Sequence, residues 1–373
     1  MTHKPANDWH RRGKRCYRAA FCETLCPLRD PTAAPRFPLS MRTMPIKKVT
    51  SHDVARVAGV SRTVVSRAFS NQGRVSQKNR ELVMRVASQL GYAPDAIAQS
   101  LHTGKTGFVA VVVNHFHDLS DLEFFDRLVE QLQNSNRQAV MIRLEGIEDP
   151  AGYLKQTISY HVDSAVVFAD HISARAAKDL FRVATPIMLN GLAGDALCDA
   201  LNADEAPSLQ QLAALMAQKG QQRVAVLGGR SSAKGEQLRQ QTFLAQAAQQ
   251  QLQIVAQLSG DYSYLSGFKL APQLLAARPA PQAIFCTADS MAMGVMDYIR
   301  LHTSLRIPQD VAVYGFDDIP MAAWPSYQLT SVRRDISAMI AAIVQLIELR
   351  SSSPQAAPQQ VTIPTELVVR ASC

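Results

Sequence analysis

Two short apolar patterns of helical period stand back to back in VTSHDVARVAGVSRTVVSRAFS, from Val49 to Ser70. In the first, Val54, Ala55 and Ala58 share a face. Thr50 stands where an N-cap would, and Asp53, three residues on, completes a capping box. Val49 and Val54 can staple that start, and Gly59 suits the left-handed residue that stops a helix. The pattern then restarts: Ser61 can cap, Val60 and Val65 repeat the staple, and Val65, Ala68 and Phe69 fall at i, i+3, i+4. Arg62, Thr63, Ser66, Arg67 and Ser70 are left on the opposite face. Two short helices joined by a tight Gly turn form a helix-turn-helix unit, whose second helix can enter a DNA major groove. A plain helical hairpin with a solvated basic face is the alternative. After a turn at Asn71-Gln72-Gly73-Arg74, Ser76 can cap a third helix that ends at Gly91 and turns Leu82, Val83, Val86 and Leu90 inward. Residues 45–92 therefore read as one all-α headpiece.

Residues 93–106 follow as hinge and linker. Between Pro94 and Gly104 there is room for only about ten residues, too few to hold a helix alone in water, so helix is expected there only when something supports it. From Phe108 the period changes. FVAVVV (108–113), QAVMIRL (138–144), SAVVFA (164–169), PIMLN (186–190), RVAVLGG (223–229), AIFCTAD (283–289) and VAVYGFDD (311–318) are short, near-continuous apolar runs separated by helix-length amphipathic segments. That alternation predicts parallel sheets covered on both faces. Over residues 107–373 it predicts an α/β core of two doubly wound parallel-sheet subdomains, with crossovers near 201 and 331. The stripe Ile336, Met339, Ile340, Ile343, Val344 and Ile347 reads as core, and a strand-like tail closes the chain.

Charge sharpens the division. The net +8 divides into +6 for residues 1–44, +6 for 45–104 and −4 for 105–373, which places a basic headpiece on a mildly acidic body, as a nucleic-acid module attached to another activity would show. Residues 1–44 have no periodicity and no apolar core of an export signal. They read as a disordered extension, and Met41 and Met44 leave open that translation starts after it. No apolar run approaches the ~18 residues of a membrane span, so a cytoplasmic protein without membrane contact is expected. Six scattered cysteines make no disulfide framework, and Cys16, Cys22 and Cys26 match no metal spacing.

Catalytic motifs are missing: there is no GxSxG elbow, HExxH, Walker loop or GxGxxG after a strand. GGRSSAKG (228–235) reads as a strand-to-helix loop, and His115 and His117 in NHFHD as surface or pocket polarity instead of a metal pair. Asp289, Asp317 and Asp318 end apolar strands, where ligands of doubly wound folds bind. A carboxylate there can accept two sugar hydroxyls or cap the next helix, and position alone leaves both open.

From Val49 to the C-terminus the chain resembles the lactose-repressor/galactose-repressor (LacI/GalR) family of transcription factors. VTSHDVARVAGVSRTVVSRAFS resembles that family's headpiece, LGYAPDAIAQSL its hinge, VYGFDDIP its late strand motif and IPTELVVR its C-terminal signature. The resemblance implies a homodimer, with a tetramer left open, on a palindromic double-stranded DNA operator, and a core related in fold to periplasmic sugar-binding proteins. It assigns base reading to Arg62, Thr63 and Arg67, and phosphate contact to Thr50, Ser61, Ser66 and Ser70. Leu101 becomes a minor-groove wedge, and Arg74 and His102 join the DNA-contacting set. In the core it assigns effector contact to Phe124, Asn190, Arg239, Asp289 and Asp317, with Arg239 and Asp317 on one wall and Asn190 and Phe124 on the other. Several positions depart from the family pattern: Asp95 after the hinge proline, His102, Leu122-Glu123 before Phe124-Phe125, and Ala288 before Asp289. The reading is a DNA-binding regulator, a repressor, controlled by a small carbohydrate-type effector between the core subdomains, with no catalytic residue, metal or cofactor. The rival reading is a sugar-binding transport or sensing protein that does not bind DNA.

Overall fold

The computed structural model describes residues 49–69, 75–93, 105–114, 119–157, 162–168, 172–181, 185–189 and 197–373. The extension 1–44, the hinge segment with Leu101 and His102, and Ser70, Arg74, His115, His117 and Asn190 lie outside the described residues. The chain divides into two units, Met1–Ala93 and Pro94–Cys373.

In the first unit, α1 (Ser51–Ala58), α2 (Arg62–Phe69) and α3 (Gln77–Leu90) enclose a small core of Val54, Val65, Ala68, Val83 and Val86. The ends of the helices are closed chemically. The Thr50 side chain accepts from the Asp53 N–H, and the Asp53 carboxylate accepts from the Thr50 N–H at 3.0 Å and its hydroxyl at 2.7 Å. Gly59 ends α1 at φ 65°, in the left-handed region that glycine enters without cost. Ser61 Oγ accepts from the Val64 N–H at 3.3 Å, Ser76 Oγ from the Asn79 N–H, and Arg80 donates to the Ala68 carbonyl at 2.8 Å, closing the end of α2. Phe69 and Tyr92 meet edge to face, 5.7 Å apart.

The described residues of the second unit hold eleven strands: β1 (Phe108–Val113), β2 (Gln138–Arg143), β3 (Ser164–Phe168), β4 (Ile187–Leu189), β5 (Asp199–Asp204), β6 (Arg223–Gly228), β7 (Gln253–Ser259), β8 (Ala283–Cys286), β9 (Ala312–Asp317), β10 (Thr330–Arg334) and β11 (Gln360–Val368). Their order is β2-β1-β3-β4-β5-β11-β10-β9-β8-β6-β7. Among the described residues every pairing is parallel except β10 with β11. The helices are α4 (Leu119–Asn134), α5 (Pro150–Thr157), α6 (Ala174–Phe181), α7 (Ala206–Gln218), α8 (Lys234–Gln249), α9 (Tyr264–Leu275), α10 (Asp289–His302) and α11 (Ile336–Ser352).

Cores on both faces explain the unbroken apolar runs. In β1, Val109, Val111 and Val113 enter one cluster with α4 and α11, while Ala110 and Val112 enter another on the opposite face. In β6, Ala225 and Leu227 face one way and Val224 and Val226 the other. A strand buried on both sides has no polar phase to show.

The two halves are joined by three crossings. The chain leaves the first half after β5 at Asp204 and returns after β10 at Arg334. β11 then spans both: Gln360–Pro364 lies parallel to β5, and residues 365–368 run antiparallel to β10. Pro364, which has no N–H for a ladder, falls at the hand-over. The expectation of crossovers near 201 and 331 did not foresee this third one. Arg350 ties the end of α11 to the amino ends of β5 and β11 in the first half. It holds the fully buried Asp199 with two bonds of 2.8 and 2.6 Å, and Asp199 also accepts from the Gln359 N–H at 2.7 Å. A buried carboxylate would be costly without such partners.

Candidate functional site

On α2 the exposed side chains are Arg62, Thr63, Ser66 and Arg67, opposite the buried Val65 and Ala68. Arg62 is the first helical residue, so its guanidinium stands at the end of α2 that a recognition helix points towards base edges. Thr50 and Ser61 both serve as helix caps. The Thr50 proton is directed at Asp53, so as placed this hydroxyl offers a phosphate no donor.

In the second unit a cavity of about 900 Å³ opens at the carboxyl ends of the strands, the position that doubly wound sheets reserve for ligands. Its first wall comes from Asn114 after β1, Ser120 and Asp121 at the start of α4, Glu145 after β2 and Phe168 at the end of β3. Asn202 to Glu205 form the floor. The second wall carries Arg230, Glu236, Arg239, Tyr262, Asp317 and Arg334.

Arg239 is held from several sides. It forks onto Glu205 at 2.9 and 2.7 Å, donates to the Thr287 carbonyl at 3.2 Å, and lies 3.7 Å above the Phe316 ring. Burial works against its charge, but Glu205, Glu236 and Asp317 outweigh that and hold the guanidinium above its ordinary pKa. Glu236 reaches the same group at 3.9 Å. Its Oε1 accepts from the Gly229 N–H, the Thr287 hydroxyl and the Gln240 amide, whereas its buried Oε2 has no hydrogen-bond donor.

Asp317 and Asp318 occupy strained backbone, at φ 108° and 54°, a conformation that concentrates at functional sites. Asp317 pairs with Arg334 at 2.6 Å, and Arg334 donates across the cavity to Ser120 Oγ at 2.9 Å. Arg230 meets Glu145 across the same gap at 2.9 Å. Asp121 lies beside Arg334 and Asp317. Burial raises its carboxyl to about 7, Arg334 opposes the rise and Asp317 adds to it.

Of the five residues expected to touch an effector, Arg239 and Asp317 line the cavity and Asn190 lies outside the described residues. Two expectations need correcting. Asp289 is fully buried beneath the wall: it accepts from the Ile319 N–H at 2.9 Å and from the Ser331 hydroxyl at 2.6 Å. It therefore braces the 317–319 loop, and its carboxyl is pushed well up by burial and then by Asp317. Phe124 is 5 % exposed and packs behind the wall, stacked 6.0 Å from Phe168, which takes the lining position. Glu236, Arg334 and Asp121 were not anticipated. Glu236 had a legible signal, lying three residues before Arg239 on one helical face; the other two meet only through the tertiary fold. Among the described residues no group of three or more His, Cys, Asp or Glu side chains could hold a metal ion, and no helix is long and apolar enough to cross a membrane.

Comparison with known proteins agrees with both parts. Residues 50–95 match the family model for bacterial regulatory proteins of the lacI family, and residues 213–373 match the periplasmic binding protein-like domain. The probable HTH-type transcriptional repressor ExuR of Bacillus subtilis (strain 168) is 26% identical over 327 residues, 87% of this chain and 98% of that protein. A lac repressor dimer bound to operator and the anti-inducer ONPF superimposes with a TM-score of 0.77 at 23% identity, covering 87% of this chain and 99% of that one. A complex of the transcriptional regulator CelR with cellobiose gives a TM-score of 0.64 at 25% identity, covering 87% of this chain and all of that one (100%). With a capped helix-turn-helix ahead of a two-halved, parallel-sheet core that opens a cavity at its strand ends, the chain is similar in both of its parts to bacterial regulatory proteins of the lacI family.

Proposed function

We propose that this protein is a cytoplasmic transcriptional repressor that binds a palindromic operator as a homodimer and answers to a small carbohydrate effector held in the 900 Å³ cavity. One observation carries the reading: the chain that presents Arg62, Thr63 and Arg67 on an exposed, capped helix also holds a polar cavity whose walls come from both halves of its core. Arg62, Thr63 and Arg67 read bases, with the guanidinium forks suited to guanine edges. Ser61 and Ser66 flank the phosphates. A ligand entering between Ser120 and Arg334, or between Glu145 and Arg230, replaces bonds that now cross the cavity. It can therefore favour one arrangement of the halves over another, as coupling to DNA requires. No enzymatic step is assigned to the cavity. A transport or sensing role without DNA binding finds no support beside the lacI match at residues 50–95.

The test is selection from random duplex DNA with the full chain, followed by titration of the selected site with ribose, cellobiose and other saccharides. Enrichment of an inverted repeat, and a saccharide that shifts its affinity, are expected. Equal binding to all sequences would defeat the reading.

A further inference from the structure

Within the carbohydrate-effector reading, on which this inference rests, the charges of the cavity narrow the ligand further. Among the described residues its lining holds seven carboxylates against three guanidinium groups and no lysine. Each guanidinium is already matched. Arg230 is paired with Glu145, Arg334 with Asp317, and Arg239 with Glu205 by a two-bond fork.

Arg239 matters most, because an arginine inside a sugar-sized cavity is the natural receptor for a phosphate or carboxylate. Here it has two acidic neighbours, Glu205 at 2.7 Å and Glu236 at 3.9 Å. Both are shielded from solvent, with Glu205 18% and Glu236 0% exposed, so their fields are weakly screened. The triad of Glu205, Arg239 and Glu236 carries one negative charge overall. Glu236 Oε2 is also a buried acceptor lacking a hydrogen-bond donor, and a buried acceptor left in that state gains from a donor and loses from another acceptor. An anionic ligand reaching Arg239 would have to displace Glu205 and leave two carboxylates facing its own charge.

We infer that the effector carries no anionic group: it is a neutral or amine-bearing polyhydroxy compound, and Glu205 and Glu236 are the residues that exclude phosphorylated and acid sugars by cancelling the charge of Arg239. Arg239 then serves as a fixed donor to hydroxyls.

The test uses the full chain without DNA and a matched ligand set: glucose, glucosamine, glucuronate and glucose 6-phosphate; ribose and ribose 5-phosphate; cellobiose. Binding is read as a thermal shift and then by calorimetry at low and high salt. Stabilisation confined to neutral and amine-bearing members, with little salt dependence for the neutral ones, is expected. Glu236→Gln should move the balance between a bound sugar and its anionic counterpart at least tenfold towards the anion. Glu205→Gln should do the same, which keeps the claim open to refutation if one variant does not fold. An anionic member binding the unaltered protein more tightly than its neutral parent, or two folded variants with unaltered preference, would overturn the inference and leave the regulator reading standing. No stabilisation by any saccharide would remove it together with the carbohydrate part of that reading, while failure to select an operator leaves these ligand measurements interpretable.

Discussion

Asp121→Asn is expected to stabilise the protein, and by an amount that depends on pH. The carboxyl is 7% exposed, and burial raises it from 3.8 to about 7, with Arg334 opposing and Asp317 adding. A carboxyl raised on folding binds its proton more tightly in the native state, so its contribution is fully present below pH 3.8 and is lost as pH climbs through about 7. Each tenfold in proton affinity is worth ~1.4 kcal/mol, so the full difference sets an upper bound of ~4 kcal/mol. Water entering a cavity of this size relaxes part of that cost, and we expect ~2–4 kcal/mol at pH 8. Asparagine keeps the shape and carries no charge at any pH. The stabilisation should therefore be near zero at pH 4, grow across pH 4–7 and level off above. Urea unfolding of both proteins at five pH values between 4 and 8 measures it, the difference in midpoint being converted with the slope of each transition. A difference independent of pH, or a variant less stable at pH 8, would show that Asp121 serves as an anion paired with Arg334, and the reasoning from burial would fail.

Three further outcomes follow from the same structure. Arg67→Ala should cost about 1–3 kcal/mol on the selected operator and relax preference at one base pair per half-site in a binding-site selection, with equal losses on scrambled DNA reducing Arg67 to a phosphate contact. Asp317→Asn should weaken saccharide binding by tenfold or more in calorimetry while operator affinity in a gel shift stays within about threefold, because the DNA-reading helix belongs to another unit; the opposite pattern would move Asp317 from the cavity to the coupling. Thr50→Ala should lower the unfolding free energy of the first unit by ~0.5–2 kcal/mol, since it removes the side-chain half of the capping box and leaves only the bond from the backbone N–H to Asp53, and an unchanged transition in calorimetry would show that the cap carries no stability.

The legible parts of the chain were those whose signal is local. Caps at Thr50, Ser61 and Ser76 and the stop at Gly59 are written in consecutive residues, and each is found in place. Strands buried on both faces, such as β1 and β6, are apolar throughout and stand out from their surroundings. Three strands lacked that contrast. β5 (DALNAD) runs from a buried start to an exposed end, β7 (QIVAQLS) is an edge strand that is half-covered, and β10 (TSVRR) ends in two arginines. In β5 and β10 the charges are Asp204 and Arg334, which line the cavity, Asp199, which pairs with Arg350, and Arg333, which pairs with Asp318, so neither strand shows an unbroken apolar run.

The same division separates Asp289 from Asp317. Each ends an apolar strand, and nothing local distinguishes a carboxylate that meets a ligand from one that holds the loop presenting it. What separates them is the backbone. Asp317 and Asp318 adopt positive φ, at a cost of about 1–3 kcal/mol each, and such a loop persists only where its surroundings outweigh that cost. Asp289 supplies part of the hold through Ile319 and Ser331, Ser331 accepts from the Asp318 N–H, and Asp318 is fixed by Arg333 and Arg370. Gly315 is required by the same arrangement, because a Cβ there would stand 2.0 Å from the Asp289 carboxylate. Asp317, itself buried, is thus the cavity-lining end of a charge-dense scaffold. Its rigidity lets a bound effector act on the arrangement of the two halves instead of being absorbed by a yielding wall.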